Sequence, residues 1–283
     1  MYLYHPPAAG GYLIQPLSDG GCMATYTDIS IERDAGVATV WMDRPEVYNA
    51  FTREMVLELN AAMRECEADD EVYVVVLSGR GKGFCAGADT TAMADWDSMT
   101  AEEYGALLWL IQQFVWRVRQ MRTPTVAAVN GPAVGAGCDF ALACDLRVMG
   151  TEGYLREGFV NIGLVPGDGG GWLLPRLVGE SKAKEYLLTG RDIDPAAAVD
   201  MGLAVETRDD PHAGAMELAE EIRDKPATGI RLTNDLIDPQ QSFDDYCRIA
   251  AEHQWTCVTD PEHQEAVAAF NEKREPEFDR SYS

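Results

Sequence analysis

Asn130-Gly131-Pro132-Ala133-Val134-Gly135-Ala136-Gly137-Cys138-Asp139 follows directly on the apolar run Thr125–Val129. The run reads as a buried strand, Gly131-Pro132 ends it, and residues 138–144 read as a short helix. A second stretch of the same kind, Gly83-Phe84-Cys85-Ala86-Gly87-Ala88-Asp89, follows a valine-rich strand at residues 72–77. Both are strand exits built of small residues, which let a ligand approach the main chain. A helix N-terminus adds unpaired N–H groups and a partial positive charge. Two such groups converging on one oxygen form an oxyanion hole, worth about 2.7–4 kcal/mol per donor to a transition state. Taken singly, either loop is equally compatible with tight packing alone.

Outward from these loops the chain alternates strands and helices. Val37–Met42 reads as a strand that ends at Asp43-Arg44-Pro45. Thr52 is placed to cap a helix over residues 53–66, and Thr100 with Glu103 forms a capping box for a long helix to about residue 121. A fourth strand is expected at residues 146–149. From Ser181 onward the pattern is helical, with Asp194-Pro195 and Asp260-Pro261 as N-cap and N1 pairs. The rhythm is strand, strand, helix rather than a simple βαβ ladder. Three regions result: an N-terminal extension without regular structure (1–22), an α/β core (23–208) and a C-terminal helical region (209–283), divided at the polar turn Asp209-Asp210-Pro211. The extension holds glycine and proline but no Lys or Arg, so it does not read as a secretory signal.

The formal net charge of −24 over 283 residues is extreme, with five lysines and 18 arginines against 47 acids. Such a surface repels nucleic acid and anionic membranes. Seven cysteines without a CxxC pair fit a reduced, cytoplasmic protein. The four histidines lack metal-ligand spacing, and no GxSxG elbow occurs. Gly79-Arg80-Gly81-Lys82-Gly83-Phe84 puts phenylalanine where a dinucleotide fingerprint needs its third glycine, and no GxxxxGK[ST] is present.

The motifs and their order resemble the crotonase (enoyl-CoA hydratase/isomerase) superfamily. The similarity covers Asp43-Arg44-Pro45 with Asn49-Ala50, the two loops above, Gly163-Leu164-Val165-Pro166, Leu174-Pro175-Arg176, Leu188-Thr189-Gly190, Gly202-Leu203-Ala204, and Ala269-Phe270 with Glu272-Lys273-Arg274. It implies an α/β spiral of ββα units with a C-terminal helical trimerisation region, and homotrimers or homohexamers. It implies a coenzyme A thioester as substrate and no tightly bound cofactor. It assigns the oxyanion hole to the N–H groups of Ala88 and Ala136. Contacts to coenzyme A are implied for Arg44, Val47, Ala86, Asp89, Phe270 and Lys273, the last two near the adenine and phosphate.

Family hydratases use two glutamates to activate water and deliver the α-proton. The first falls at Asp139, still a carboxylate. The second falls at Phe159, which cannot exchange protons. Asp168, in Pro166-Gly167-Asp168-Gly169, is a second candidate acid, and Glu157 a third if its strand bulges inward. The resemblance thus implies an acyl-CoA hydratase or double-bond isomerase, with Asp139, Asp168 or both moving the proton. A β-keto-acyl-CoA hydrolase or C–C lyase and a non-catalytic acyl-CoA-binding protein are the alternatives. Dense carboxylates also predict dependence on salt: molar KCl raises the unfolding midpoint and activity, and full stability in salt-free buffer would count against this.

Overall fold

The computed structural model describes residues 26–93, 96–237 and 242–278; the expected extension at 1–22 lies outside them. Among these residues there are eight strands: β1 Ile29–Asp34, β2 Val37–Met42, β3 Val74–Gly79, β4 Thr125–Val129, β5 Pro132–Val134, β6 Leu146–Gly150, β7 Tyr154–Arg156 and β8 Glu206–Arg208. The helices are α1 Arg53–Ala68, α2 Thr90–Met93, α3 Ala101–Gln120, α4 Ala136–Ala143, α5 Gly170–Val178, α6 Glu180–Thr189, α7 Pro195–Asp200, α8 Pro211–Arg223, α9 Ala227–Leu236, α10 Phe243–Val258 and α11 Pro261–Glu272. The main sheet runs β1-β2-β3-β4-β6-β8, antiparallel only between β1 and β2. Strands β5 and β7 pair separately and in parallel.

Every residue of β2, β3 and β4 is buried. That is why their sequences are continuous apolar runs and not alternations: a parallel sheet covered on both faces has no wet side. One face carries α1, α3 and α4, whose Met55, Leu59, Met63, Phe114, Phe140 and Leu142 join the large core. The other face packs Val37, Val74, Val76, Val126 and Val148 against Ala215 and Ala219 of α8. Helix α8 thus lies past the expected boundary at 208 yet completes the core sandwich. Helices α9 and α10 contain no buried residue in the single chain.

The parallel register sets the site. Ser78 of β3 stands beside Ala128 of β4, and its hydroxyl donates to the Ala128 carbonyl at 2.9 Å. The loops leaving β3 and β4 therefore emerge side by side at the same edge of the sheet. Strand β3 begins two residues later than the valine run suggested. Val72 and Tyr73 belong to the exit from α1, with Val72 N–H donating to the Asp69 carbonyl, while the ladder continues through Ser78 and Gly79.

Capping went as the side chains dictate. The Thr52 hydroxyl accepts from Met55 N–H, Thr100 and Glu103 complete a reciprocal box, and Asp194 and Asp260 cap α7 and α11. At the far end of α4 the buried Arg147 guanidinium donates to the carbonyls of Ala141, Leu142, Cys144, Asp145 and Leu203. A cation gathering carbonyls at a helix C-terminus complements the helix dipole. Arg147→Met leaves several of these carbonyls buried and unpaired, and is expected to cost about 3 kcal/mol in urea unfolding.

Candidate active site

Main-chain hydrogen bonds stitch the two loops together. Phe84 and Cys85 N–H both donate to the Pro132 carbonyl (3.1 and 3.0 Å), and Val134 N–H donates back to the Cys85 carbonyl (2.9 Å). The first loop is also tied to residues 44–51: Ala86 N–H donates to the Tyr48 carbonyl, Phe51 N–H to the Gly87 carbonyl, and Asp89 N–H to the Phe51 carbonyl. The side chain of Asn49, completely buried, braces the turn before it, donating to the carbonyls of Gly83 (2.7 Å) and Arg80 (3.0 Å) while accepting from Arg44 N–H (2.9 Å).

A left-handed glycine precedes each proposed donor. Gly87 has φ +93°, and a Cβ there would also meet the Val134 carbonyl oxygen at 2.9 Å. Gly135 has φ +57° and ψ −127° at the N-cap of α4. Only glycine adopts these geometries without strain. The consequence falls on the next residue. Phe51 bonds the groups on either side of Ala88, so the Ala88 N–H faces away from Phe51. Ala136 opens α4 and its N–H has no intrahelical partner. Neither amide donates to an acceptor among the described residues.

Both alanines line one cavity of about 480 Å³. Its apolar wall comes from α3, through Tyr104, Leu108 and Ile111, and the opposite wall from the segment 158–168. Among the described residues lining it, Asp168 is the only carboxylic acid. Asp168 is 8% exposed, and burial pushes its carboxyl up to about 6. Tyr104 is its near neighbour on α3; burial and the Asp168 charge both raise the phenol. Gln112 fixes the loop by donating to the Gly167 carbonyl at 2.7 Å. Phe159, which stands where the resemblance implies a second glutamate, also lines the cavity. Its ring lies against Gly135, 3.5 Å from where a Cβ would be.

The remaining expected site residues divide. Ala86 lines the cavity. Asp139 is completely buried in the first turn of α4 and does not line it; nor does Glu157, 1% exposed, whose carboxyl abuts that of Asp139. Burial first, then the neighbouring carboxyl, raises Asp139 well above the usual range. Arg44 and Asp89 pair with each other at 3.1 Å; Asp89 also accepts from the Thr91 hydroxyl and N–H, and these bonds hold its carboxyl low. Both therefore serve the architecture of the loop. Val47 is half-buried in the short 3₁₀ turn Pro45–Val47. Phe270 is 83% exposed and Lys273 exposed, and neither reaches this cavity in its own chain. Arg80 is stacked on Trp41 and paired with Glu32, whereas Lys82 and Lys273 make no ion pair among the described residues. Tyr104 was missed by sequence reasoning. Its signal was the spacing 104, 107, 108, 111 on one face of a well-capped helix.

The sequence profile of the enoyl-CoA hydratase/isomerase family matches residues 32–281. A Thermus thermophilus homologue carrying a provisional enoyl-CoA hydratase name is 42% identical over 250 residues, covering 86% of this chain and 97% of its own. The crotonyl-CoA hydratase of Syntrophomonas wolfei is 32% identical over 259 residues, covering 89% of this chain and 98% of its own. Among solved structures, the enoyl-CoA hydratase of Bacillus anthracis has a TM-score of 0.84 at 28% identity, covering 89% of this chain and 99% of that one. The α/β arrangement expected from the motifs is the one observed. Matched over most of its length by the profile and by relatives that it covers almost end to end, the chain belongs to the enoyl-CoA hydratase/isomerase family and has the crotonase fold.

Proposed function

We propose that this enzyme is a double-bond isomerase of enoyl-CoA thioesters, with Asp168 as its single acid–base group. One observation carries the reading. Among the described residues, the cavity lined by Ala88 and Ala136 carries one carboxyl, that of Asp168, and the Phe159 ring lines it where the resemblance implies a second. A 1,3-proton shift needs one base that takes and returns a proton, whereas water addition needs a second group to activate water.

The reaction runs as follows. The Asp168 carboxylate removes a proton from C2 of a 3-enoyl thioester. The C–H electrons move into the carbonyl, and the resulting dienolate oxygen rests on the two amides. The Asp168 carboxyl then returns the proton at C4, leaving the double bond between C2 and C3. Donors fixed before the charge develops need not reorganise, and this is where most of the rate gain comes from. Lys82 of the same chain and Lys273 of a neighbouring copy, without an ion pair among the described residues, are cations suited to the coenzyme A phosphates. Exposed Ile237, Phe243 and Trp255 on and beside α9 and α10 suit contact between copies in a trimer or hexamer. No helix among the described residues is long and apolar enough to cross a membrane, which fits a cytoplasmic enzyme.

Incubation with a 3-enoyl-CoA is expected to raise the absorbance of the conjugated thioester, while crotonyl-CoA stays unchanged. Loss of crotonyl-CoA absorbance would instead support a hydratase, the activity named for the relatives above. Release of free acid from a β-keto-CoA would support a hydrolase.

Asp168 must be ionised to act as base, so kcat/KM should climb about tenfold per pH unit below pH 6 and level off above it. Asp168→Asn should abolish turnover and leave binding of a CoA ester intact. The same substitution should change stability. A carboxyl whose folded value, about 6, lies above its unfolded value binds its proton more tightly when folded. Its ionisation therefore opposes folding: stability falls between about pH 4 and pH 6 and stays lower above. Asp168→Asn is thus expected to stabilise the protein by about 3 kcal/mol at pH 8 and by nothing at pH 3. Equal unfolding midpoints at pH 8 would contradict the burial argument.

A further inference from the structure

Beneath the cavity lie two carboxyl groups that the proton shuttle does not use. Asp139 is 0% and Glu157 1% exposed, and none of their four oxygens has a well-aligned partner elsewhere among the described residues. Asp139 stands three residues into α4 from Ala136, the oxyanion donor. Glu157 is pressed against the first residue of α5: a Cβ at Gly170 would overlap both its carboxyl oxygens. Gly170 is two residues past Asp168. The two carboxyls therefore meet between the N-termini of the helix that carries one oxyanion amide and the helix that follows the pocket acid.

We propose that Asp139 and Glu157 are a positioning pair for Asp168: they share one proton, hold the start of α4 against the start of α5, and present a single negative charge to the pocket acid from behind. Two ionised carboxylates cannot stand together in an apolar interior, and two neutral ones would forgo the stronger bond. One shared proton gives a short charge-assisted O–H···O⁻ contact and satisfies the orphaned oxygens through each other. The remaining charge faces two helix N-termini, where it is favoured. It is not cancelled nearby. The Cys138 thiol beside Glu157 is held neutral by burial, as is the Tyr104 phenol facing Asp168, and the Arg156 guanidinium is taken by Asp192 and the ring of Tyr154. Charge repulsion couples Asp168 to both Asp139 and Glu157, so the charge that the pair keeps favours the protonated form of the pocket acid. Asp139 thus acts through Asp168 and not as the first of two catalytic acids.

The proposal takes from the isomerase reading only that Asp168 is the pocket acid, and its first test needs no activity. Carboxyl ¹³C NMR of the full chain, with Asp168 identified by the signal lost in Asp168→Asn, is expected to show the pair retaining one proton from pH 5 to pH 8. Two ionised or two neutral carboxyls at pH 7 would overturn it. In the isosteric double variant Asp139→Asn/Glu157→Gln, the Asp168 midpoint should fall by about one pH unit, and the acidic limb of kcat/KM should move with it. An unmoved midpoint in a variant that still unfolds cooperatively would sink the electrostatic link. Should the double variant not fold, the wild-type titration still decides whether one proton is shared. If no isomerase activity is found, the NMR result stands separately from that failure.

Discussion

Everything at this site rests on keeping two backbone N–H groups unpaired at one place. A buried amide without an acceptor is costly, and folded chains rarely leave one. Among the described residues this chain keeps two, at Ala88 and Ala136, by spending its hydrogen bonds on their neighbours. The Phe84 and Cys85 amides on the Pro132 carbonyl, and the Val134 amide on the Cys85 carbonyl, bind loop to loop, and Phe51 takes the groups flanking Ala88. The glycines at 87 and 135 supply the reversed turns that aim the next amide elsewhere. Parallel pairing of β3 with β4 starts the two loops from adjacent points, so no long connection has to bring them together.

Around that frame, charge is used for construction more than for display. Arg44 with Asp89 and Thr91 closes the first loop, Asn49 braces its turn, and Arg147 collects the carbonyls at the far end of α4. Helix α4 is held at both ends. Its first residue lines the cavity, and its last carbonyls face a guanidinium. A short helix anchored this way is a rigid mount for the oxyanion donor proposed at Ala136.

Much of this could be read before any coordinates. The strands Val37–Met42 and Thr125–Val129, the Thr52 and Thr100 caps and the small-residue loops carry local signals that packing merely accepts. Side-chain direction was not legible. Asp139 looked like a catalytic acid because its position along α4 matches one, yet the helix turns it inward, away from the cavity. Glu157, a candidate acid if its strand bulged inward, is buried but does not line the cavity; the 3₁₀ turn at Gly158–Ile162 swings the chain so that Phe159 takes the cavity wall. The polar turn at 209–211 looked like a domain edge. It is the cap of α8, whose Ala215 and Ala219 are small enough to lie flat on the valine face of the sheet. These outcomes depend on partners distant in sequence, which no local pattern contains.

The ring of Phe159 over Gly135 has an effect beyond filling space. It lines the wall where a second carboxylate would otherwise bring charge and bound water, and so lowers the local dielectric around the Ala136 amide. In a poorly polarisable surrounding, the field of two fixed N–H dipoles is screened less. An apolar ring at this wall can in this way strengthen the electrostatic grip proposed for the main chain.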